Sequence, residues 1–314
     1  MITRVKNALV RRYWRVRMSP PLWRLINRSR VRAWKTVGPQ GAPHERRIAD
    51  ALRTDGIAFS SLQELGLEHL WPAMQADARA LKQRWVSDAS FREHILGELA
   101  SKEIAKGAKK TFLLPLYGGG WTTPVLESEN PYIQFSLSDT VLTIAGMYLG
   151  LIAKFDSFNL SETVLVAGDA KFSQRWHRDP EDRRLLKAFI YVSDVLDDGA
   201  GPFTYVRGSQ EGGRYHHLFP QQFPQGSYPA AEALERAVHP KDIQKAFGKA
   251  GTVVFADTAG LHRGGFSTTQ ERMMYTAGYV AATSTQSRKF TIMEAPAGLS
   301  ILAAGALTAQ TYTL

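Results

Sequence analysis

The chain has 314 residues, 44% of them hydrophobic and 22% charged, enough for one large folded domain or two ordinary ones with an ample core. It has no cysteine, which excludes disulfides and thiolate metal sites. The formal net charge of +10 is uneven: residues 1–44 hold eleven Lys and Arg and no Asp or Glu, and the remainder carries 28 basic against 29 acidic residues, so the basicity describes an arm and not the domain.

In the arm, Ile2, Val5, Leu9, Tyr13 and Val16 recur every three or four residues, which predicts one helical stripe, with Lys6, Arg11, Arg12 and Arg15 beside or opposite it. Ser19-Pro20-Pro21 interrupts the pattern, with Ser19 an expected N-cap and proline at the first helical position. A second helix is expected to carry Leu22, Trp23, Leu25, Ile26 and Trp34 among Arg24, Arg28, Arg30 and Arg32. Basic amphipathic helices with Trp and Leu on the other face suit an anionic membrane surface. The same composition fits a disordered basic tail, two helices docked on the domain, or a transit peptide. No apolar run has the length of a membrane span or the form of a secretory signal, and no nucleic-acid-binding module accompanies the charge. The expected organisation is an arm over residues 1–38 and a domain over 45–314, joined by the linker-like Val37-Gly-Pro-Gln-Gly-Ala-Pro43.

Residues 45–150 read as the helical part of the domain. Ile48 and Leu52 mark a short helix ended at Gly56, before a strand over 57–59. Residues 63–106 read as mostly helical, with Leu67, Leu70, Met74, Ala78, Leu81 and Trp85 as a core face. Ser138 is expected to cap a helix that runs to Tyr148 and ends at Gly150. From Leu151 the pattern changes to strands over 151–159, 162–168, 171–179, 185–195, 202–207, 251–257 and 272–282, with a helical insert near 230–247. The segment 297–309 reads as a packing helix or strand. Helices followed by many short strands predict a mainly β fold, a barrel or sandwich braced by helices, with its β core over 151–285.

Residues 173–182, Ser-Gln-Arg-Trp-His-Arg-Asp-Pro-Glu-Asp, hold His177 and Asp179 two positions apart, so an extended chain points both side chains to one face. A neutral imidazole with a hard carboxylate suits Fe(II), most often as two His and one carboxylate. The competing reading is a surface salt-bridge cluster, because Arg175, Arg178, Glu181, Asp182, Arg183 and Arg184 crowd the same stretch. A third ligand is offered by His262, 85 residues later in a glycine-rich turn after the strand-like run 251–257. Arg272, ten residues further on, opens another strand and can grip a carboxylate through two parallel hydrogen bonds. Along Lys187-Ala-Phe-Ile-Tyr191, alternation puts Lys187, Phe189 and Tyr191 on one face. A lysine facing the interior needs an anion there, whether a co-substrate, a substrate, Asp194 or Glu162. His216 and His217 read as ordinary surface loop.

Trp176-His-Arg-Asp-Pro180, Lys187-Ala-Phe-Ile-Tyr-Val-Ser-Asp194, Gly201-Pro-Phe-Thr-Tyr-Val-Arg-Gly-Ser209 and Asp257-Thr-Ala-Gly-Leu-His-Arg-Gly-Gly265 with Arg272 resemble the phytanoyl-CoA dioxygenase family of Fe(II)/2-oxoglutarate oxygenases. The resemblance spans about residues 45–285 and is strongest from 159 onward. It implies a double-stranded β-helix (a jelly roll, cupin-like), with His177, Asp179 and His262 as catalytic iron ligands. It further implies Arg272 on the distal carboxylate of 2-oxoglutarate, with Gln174 and Phe189 lining that pocket and Lys187 a further candidate for it. The implied reaction uses O2 and 2-oxoglutarate to hydroxylate a C–H bond of a small-molecule or lipid-like substrate, releasing succinate and CO2. Asp179 argues against a halogenase, in which a small residue replaces the carboxylate. One departure is Gly264, where a hydroxyl residue often stands two after the distal histidine. The alternatives are a metal-binding jelly roll without oxygenase activity, structural or hydrolytic with Zn(II), and a scaffold that acts through its basic arm. The expected location is the cytoplasm, with the arm able to hold the protein on the inner membrane face.

Overall fold

Along each strand, side chains alternate between the two faces of its sheet, so the sequence pattern decides what each face covers. In a computed structural model, which describes residues 2–94, 96–97, 113–118, 125–127, 129–165, 169–170, 172–284, 291–292 and 298–308, the strands are β1 (Ile57–Ser61), β2 (Leu113–Gly118), β3 (Val125–Leu126), β4 (Lys154–Thr163), β5 (Leu186–Tyr191), β6 (Phe203–Val206), β7 (Ile243–Ala246), β8 (Thr252–Asp257), β9 (His262–Arg263), β10 (Arg272–Val280) and β11 (Thr291–Ile292). Six form an antiparallel sheet in the order β1-β8-β5-β10-β4-β2. A second antiparallel sheet has the order β7-β6-β9, and β3 pairs with β11 in parallel.

The large sheet has two unlike faces. Outward, Phe158, Leu160, Ala188, Ile190, Val253, Phe255, Tyr275 and Ala277 pack against helices that contribute Ile48, Leu52, Met74, Ile133, Phe135, Val141 and Ile144. Inward, Ile57, Phe189, Tyr191, Val254 and Ala256 meet Phe203, Tyr205 and Ala246 of the small sheet. Each large side chain so buried contributes on the order of 1.5–3 kcal/mol. The inward face turns polar toward β4: its register puts Thr163 opposite Arg272, Ser161 opposite Met274 and Asn159 opposite Thr276. The alternation read along Lys187 to Tyr191 is the observed one.

The arm is α1 (Ile2–Arg17), α2 (Pro20–Ile26) and α3 (Arg28–Val37). Its last two helices are docked. Trp23, Val31 and Trp34 pack on the main core. Gly146 leaves room for the Trp34 ring, since a Cβ there would lie 2.2 Å from it. Arg30 donates to the carbonyls of Ile152 (2.6 Å), Ala153 (3.0 Å) and Gly305 (3.1 Å). Asn27, fully buried, donates to Thr283 Oγ1 at 3.2 Å and accepts from the Ala282 N–H at 3.0 Å. Ser19 stands at the N-cap of α2 but caps nothing: Pro20 and Pro21 lack N–H groups, and its hydroxyl donates back to the Val16 carbonyl at 2.6 Å.

Four expectations need correction. Residues 230–247 are not one helix: it spans Ala231–Ala237, because Pro240 disfavours helix at the preceding residue, and 243–246 pair with β6 as β7. The helical stretch expected from 63 opens with a 3-10 turn over Glu68–Leu70 and becomes α-helix at Trp71 (α5, Trp71–Ser87, following α4, Pro43–Asp55), resuming over 89–94, while 98–106 lie outside the described residues. A single strand, β4, crosses the break expected at 160–161. The chain before His177 makes a 3-10 turn over Phe172–Gln174 in place of strand. Ser138 and Gly150 do bound the helix Asp139–Leu149, Gly150 with φ of 73°. Among the described residues no helix is long and apolar enough to cross a membrane.

Candidate metal centre

Backbone pairing brings the two histidines together. The His177 N–H donates to the His262 carbonyl at 2.8 Å and the His262 N–H to that of His177 at 3.0 Å, while the Asp179 N–H donates to Thr258 O at 2.9 Å. The folded chain therefore closes the 85-residue gap in sequence with a direct antiparallel pair. Ligand atoms of His177, Asp179 and His262 all lie within 4.8 Å of one another, and all three residues are buried. Asp179 Oδ1 is 3.5 Å from His177 Nε2, and Oδ2 is 3.7 Å from His262 Nε2. Adjacent ligands on a metal about 2.1 Å away stand roughly 3 Å apart, so a small inward movement would close the set.

The second nitrogen of each ring fixes its tautomer. His177 Nδ1 lies 2.8 Å from the Arg175 carbonyl, and His262 Nδ1 lies 3.0 Å from that of Gly260. A carbonyl only accepts, so each Nδ1 carries a proton and each ring turns its Nε2 toward Asp179. Burial, reinforced by His177 and Lys187 and opposed by Asp179, pushes the His262 pKa down to about 3, which keeps the ring neutral. Burial would raise the Asp179 carboxyl, but the Lys187 ammonium above all holds it well below the usual carboxylate range. The donor set is two imidazoles and one carboxylate, which fits Fe(II).

Lys187 has its anion in Asp179, with Nζ 2.6 Å from Oδ2, and not in Asp194 or Glu162. Glu162 pairs with Lys82, and Asp194 accepts from the Ala250 N–H. Burial would lower Lys187, but Asp179 and Glu181 raise it above its ordinary value. The lysine thus holds the carboxylate from the side. Phe189 lies on the same inward face, its ring 4.7 Å from Phe203, whose ring is 5.6 Å from His262. Gln174 is buried in the turn ahead of His177.

Arg272 opens β10 on that face and is 3% exposed. Its Nη1 donates to the Gly201 carbonyl and its Nη2 to Thr163 Oγ1 at 3.2 Å. Its Nε has no hydrogen-bond partner, and among the described residues no carboxylate pairs with it. Thr163, equally buried, has no acceptor for its hydroxyl proton among the described residues. A buried guanidinium and a buried hydroxyl thus both keep donor capacity that an anion could use. Gly265 belongs to this corner, because a Cβ on it would lie 1.6 Å from the Gly201 oxygen.

Sequence reading missed Arg178, naming it on its own account only in the competing surface-cluster reading. It is 1% exposed and points away from the triad. Its guanidinium donates to Ser209 O (2.7 Å), Ala259 O (2.8 Å), Phe219 O (3.0 Å) and Leu218 O (3.0 Å), with longer bonds to Tyr215 O and His216 O at 3.4 Å. The loop containing His216 and His217 is thus wrapped round Arg178 by its backbone. Asp182 of the same cluster is fully buried, bound by Trp23, Thr283 and two backbone N–H groups. The available signal was position: in a strand, the residue between two converging ligands must face the other way.

No protein-family model matches the sequence, and no curated protein does. Among solved structures, EctD from S. alaskensis with 2-oxoglutarate and 5-hydroxyectoine is 17% identical over 84% of this chain and 86% of its own, with a TM-score of 0.51. The chain shares the fold of EctD. Looser overlays include the epimerase SnoN in complex with Fe3+, alpha ketoglutarate and nogalamycin RO, 18% identical over 81% of this chain and 91% of its own at a TM-score of 0.44. HygX from Streptomyces hygroscopicus with nickel and 2-oxoglutarate bound is 15% identical over 78% and 89%, at 0.43.

Proposed function

We propose that the protein is an Fe(II)- and 2-oxoglutarate-dependent oxygenase of the phytanoyl-CoA dioxygenase type, built on a double-stranded β-helix over residues 151–285, and that it hydroxylates a C–H bond of a small-molecule or lipid-like substrate. The observation that carries this reading is the pairing of two tautomer-locked imidazoles and one carboxylate with a buried arginine that has no anion of its own. EctD, which shares the fold, is crystallised with 2-oxoglutarate.

In this reading His177, Asp179 and His262 hold the iron. Bound iron with 2-oxoglutarate would supply O2 activation coupled to decarboxylation of the keto acid to succinate and CO2. The chain supplies placement. Arg272 takes the far carboxylate through its open Nε edge, and Thr163 donates its free hydroxyl proton to the same carboxylate, filling the role that Gly264 has no side chain to fill. Lys187 holds one Asp179 oxygen, and Gln174, Phe189 and Phe203 exclude water around the site. Purified protein with Fe(II), ascorbate and 2-oxoglutarate is expected to form succinate slowly without substrate, and His177→Ala and Asp179→Ala are each expected to abolish it. Succinate formation in either variant at the wild-type rate would overturn the assignment.

A further inference from the structure

The docking of the arm leaves its first helix turned the wrong way for a purely structural role. At about 100° per residue, Leu9, Tyr13 and Val16 fall within roughly a 60° arc of α1, and Trp14 and Met18 lie on the far side of the helix. On the far side Trp14 is half-buried, and Met18, just past the helix end, is 3% exposed. The apolar stripe faces out, with Leu9 62%, Tyr13 57% and Val16 54% exposed. A helix that merely braced the domain would bury this stripe. Arg12 is exposed beside the stripe, Arg15 further round the helix, Arg11 on its opposite side and Arg24 on α2, and none of them forms an ion pair among the described residues. No acidic residue before Glu45 balances them.

We propose that α1 is a docking surface for an anionic lipid bilayer. An outward apolar stripe on a helix whose exposed charged residues are all cations matches the two components of such a surface, apolar below the headgroups and negative at them. A flat anionic partner suits a straight helix whose apolar residues are aligned on one side. The attachment also couples this surface to the metal centre. The Arg17 Nε donates to the Thr283 carbonyl at 3.3 Å, Arg183 Nη1 to the Met18 carbonyl at 3.0 Å, and Trp23 Nε1 to Asp182 Oδ1 at 2.8 Å. Asp182 and Arg183 belong to the loop that leaves Asp179, so a bilayer holding α1 also holds that loop at the interface. The proposal rests on exposure and charge and stands whatever the reaction.

The test is cosedimentation of the full chain with vesicles of phosphatidylcholine alone or mixed with phosphatidylglycerol, at low and high salt. The wild type is expected to sediment with the mixed vesicles, to release at high salt, and to leave neutral vesicles largely unoccupied. Leu9→Glu with Val16→Glu, and separately Arg11→Gln with Arg12→Gln and Arg15→Gln, are each expected to weaken binding; the loss of three cations corresponds to about a hundredfold. Val86→Glu, at an exposed apolar position on α5 remote in sequence from the arm, should bind like wild type. Equal binding to both vesicle types, wild-type binding by either arm variant, or no binding at all overturns the proposal. A dimer that Leu9→Glu dissociates, without vesicle binding, would assign the stripe to a second copy, and duplex DNA binding without vesicle binding would assign the cations to nucleic acid.

Discussion

Replacing Arg178 by methionine, which keeps most of the side-chain length and removes the charge, tests how the metal centre is held. Four of its hydrogen bonds are 3.0 Å or shorter, to Ser209, Leu218, Phe219 and Ala259 carbonyls. Bonds to a charged donor are worth about 1.5–3 kcal/mol each, so four at the lower figure come to about 6 kcal/mol. Against this, burial lowers the Arg178 pKa from 12.5 to about 10, which corresponds to about 3 kcal/mol that the native state recovers when the charge is removed. The balance predicts Arg178→Met to be destabilised by about 3 kcal/mol. Those carbonyls belong to the loops leading to His262 and following Gly208, so the imidazoles should lose their fixed orientation. Affinity for Fe(II) should then fall by roughly 10- to 100-fold, the range for changes behind the ligands of a metal. Denaturant unfolding measures the first effect, with the slope checked for constancy, and anaerobic calorimetry of Fe(II) binding measures the second. A variant within about 0.5 kcal/mol of wild type, with unchanged metal affinity, would refute the idea that Arg178 organises the site.

Three further outcomes are expected. Thr163→Val should weaken 2-oxoglutarate binding by roughly 10- to 100-fold, one hydrogen bond to a charged group, yet leave 2-oxobutyrate, which lacks the far carboxylate, unaffected; calorimetry on the metal-loaded protein reads both. Burial pushes the Asp257 carboxyl up to about 6, against the hydrogen bonds of Tyr148, Leu185 and Ala259. A raised carboxyl favours the folded state below its unfolded pKa of 3.8 and loses that contribution as pH rises through about 6, so the stability of wild type relative to Asp257→Asn should fall by about 3 kcal/mol across that window. Deleting residues 1–38 should destabilise the domain strongly, since Trp23, Asn27, Arg30 and Trp34 leave with it, whereas deleting 1–16 should leave the unfolding midpoint near wild type.

What was legible in the sequence was local. Period-two alternation placed Lys187, Phe189 and Tyr191 on one face, and two-residue spacing placed His177 beside Asp179, because side-chain direction in a strand follows from position alone. Pairings across the chain were not legible. Nothing near Thr163 announces that β4 will set it opposite Arg272, 109 residues away. Lys187 needed an anion, but the two protein carboxylates named from sequence, Asp194 and Glu162, were wrong, since Asp179 reaches it only after the chain has turned between 180 and 185. Arg178 was hidden by its neighbours: a run of charged residues in one stretch looks like surface, and the fold separates them, sending Arg178 and Asp182 inward. β7 was hidden by composition, Ile-Gln-Lys-Ala being acceptable in a helix, and its partner β6 decided otherwise.

The most direct test of the central claim is calorimetric titration of 2-oxoglutarate into oxygen-free protein with and without Fe(II). The predicted result is one-to-one binding that requires the metal, is lost in His177→Ala because the metal is lost, and is weakened in Arg272→Ala although the metal is retained. Binding of 2-oxoglutarate that is absent from the metal-loaded wild type, or equal in all three proteins, would contradict it.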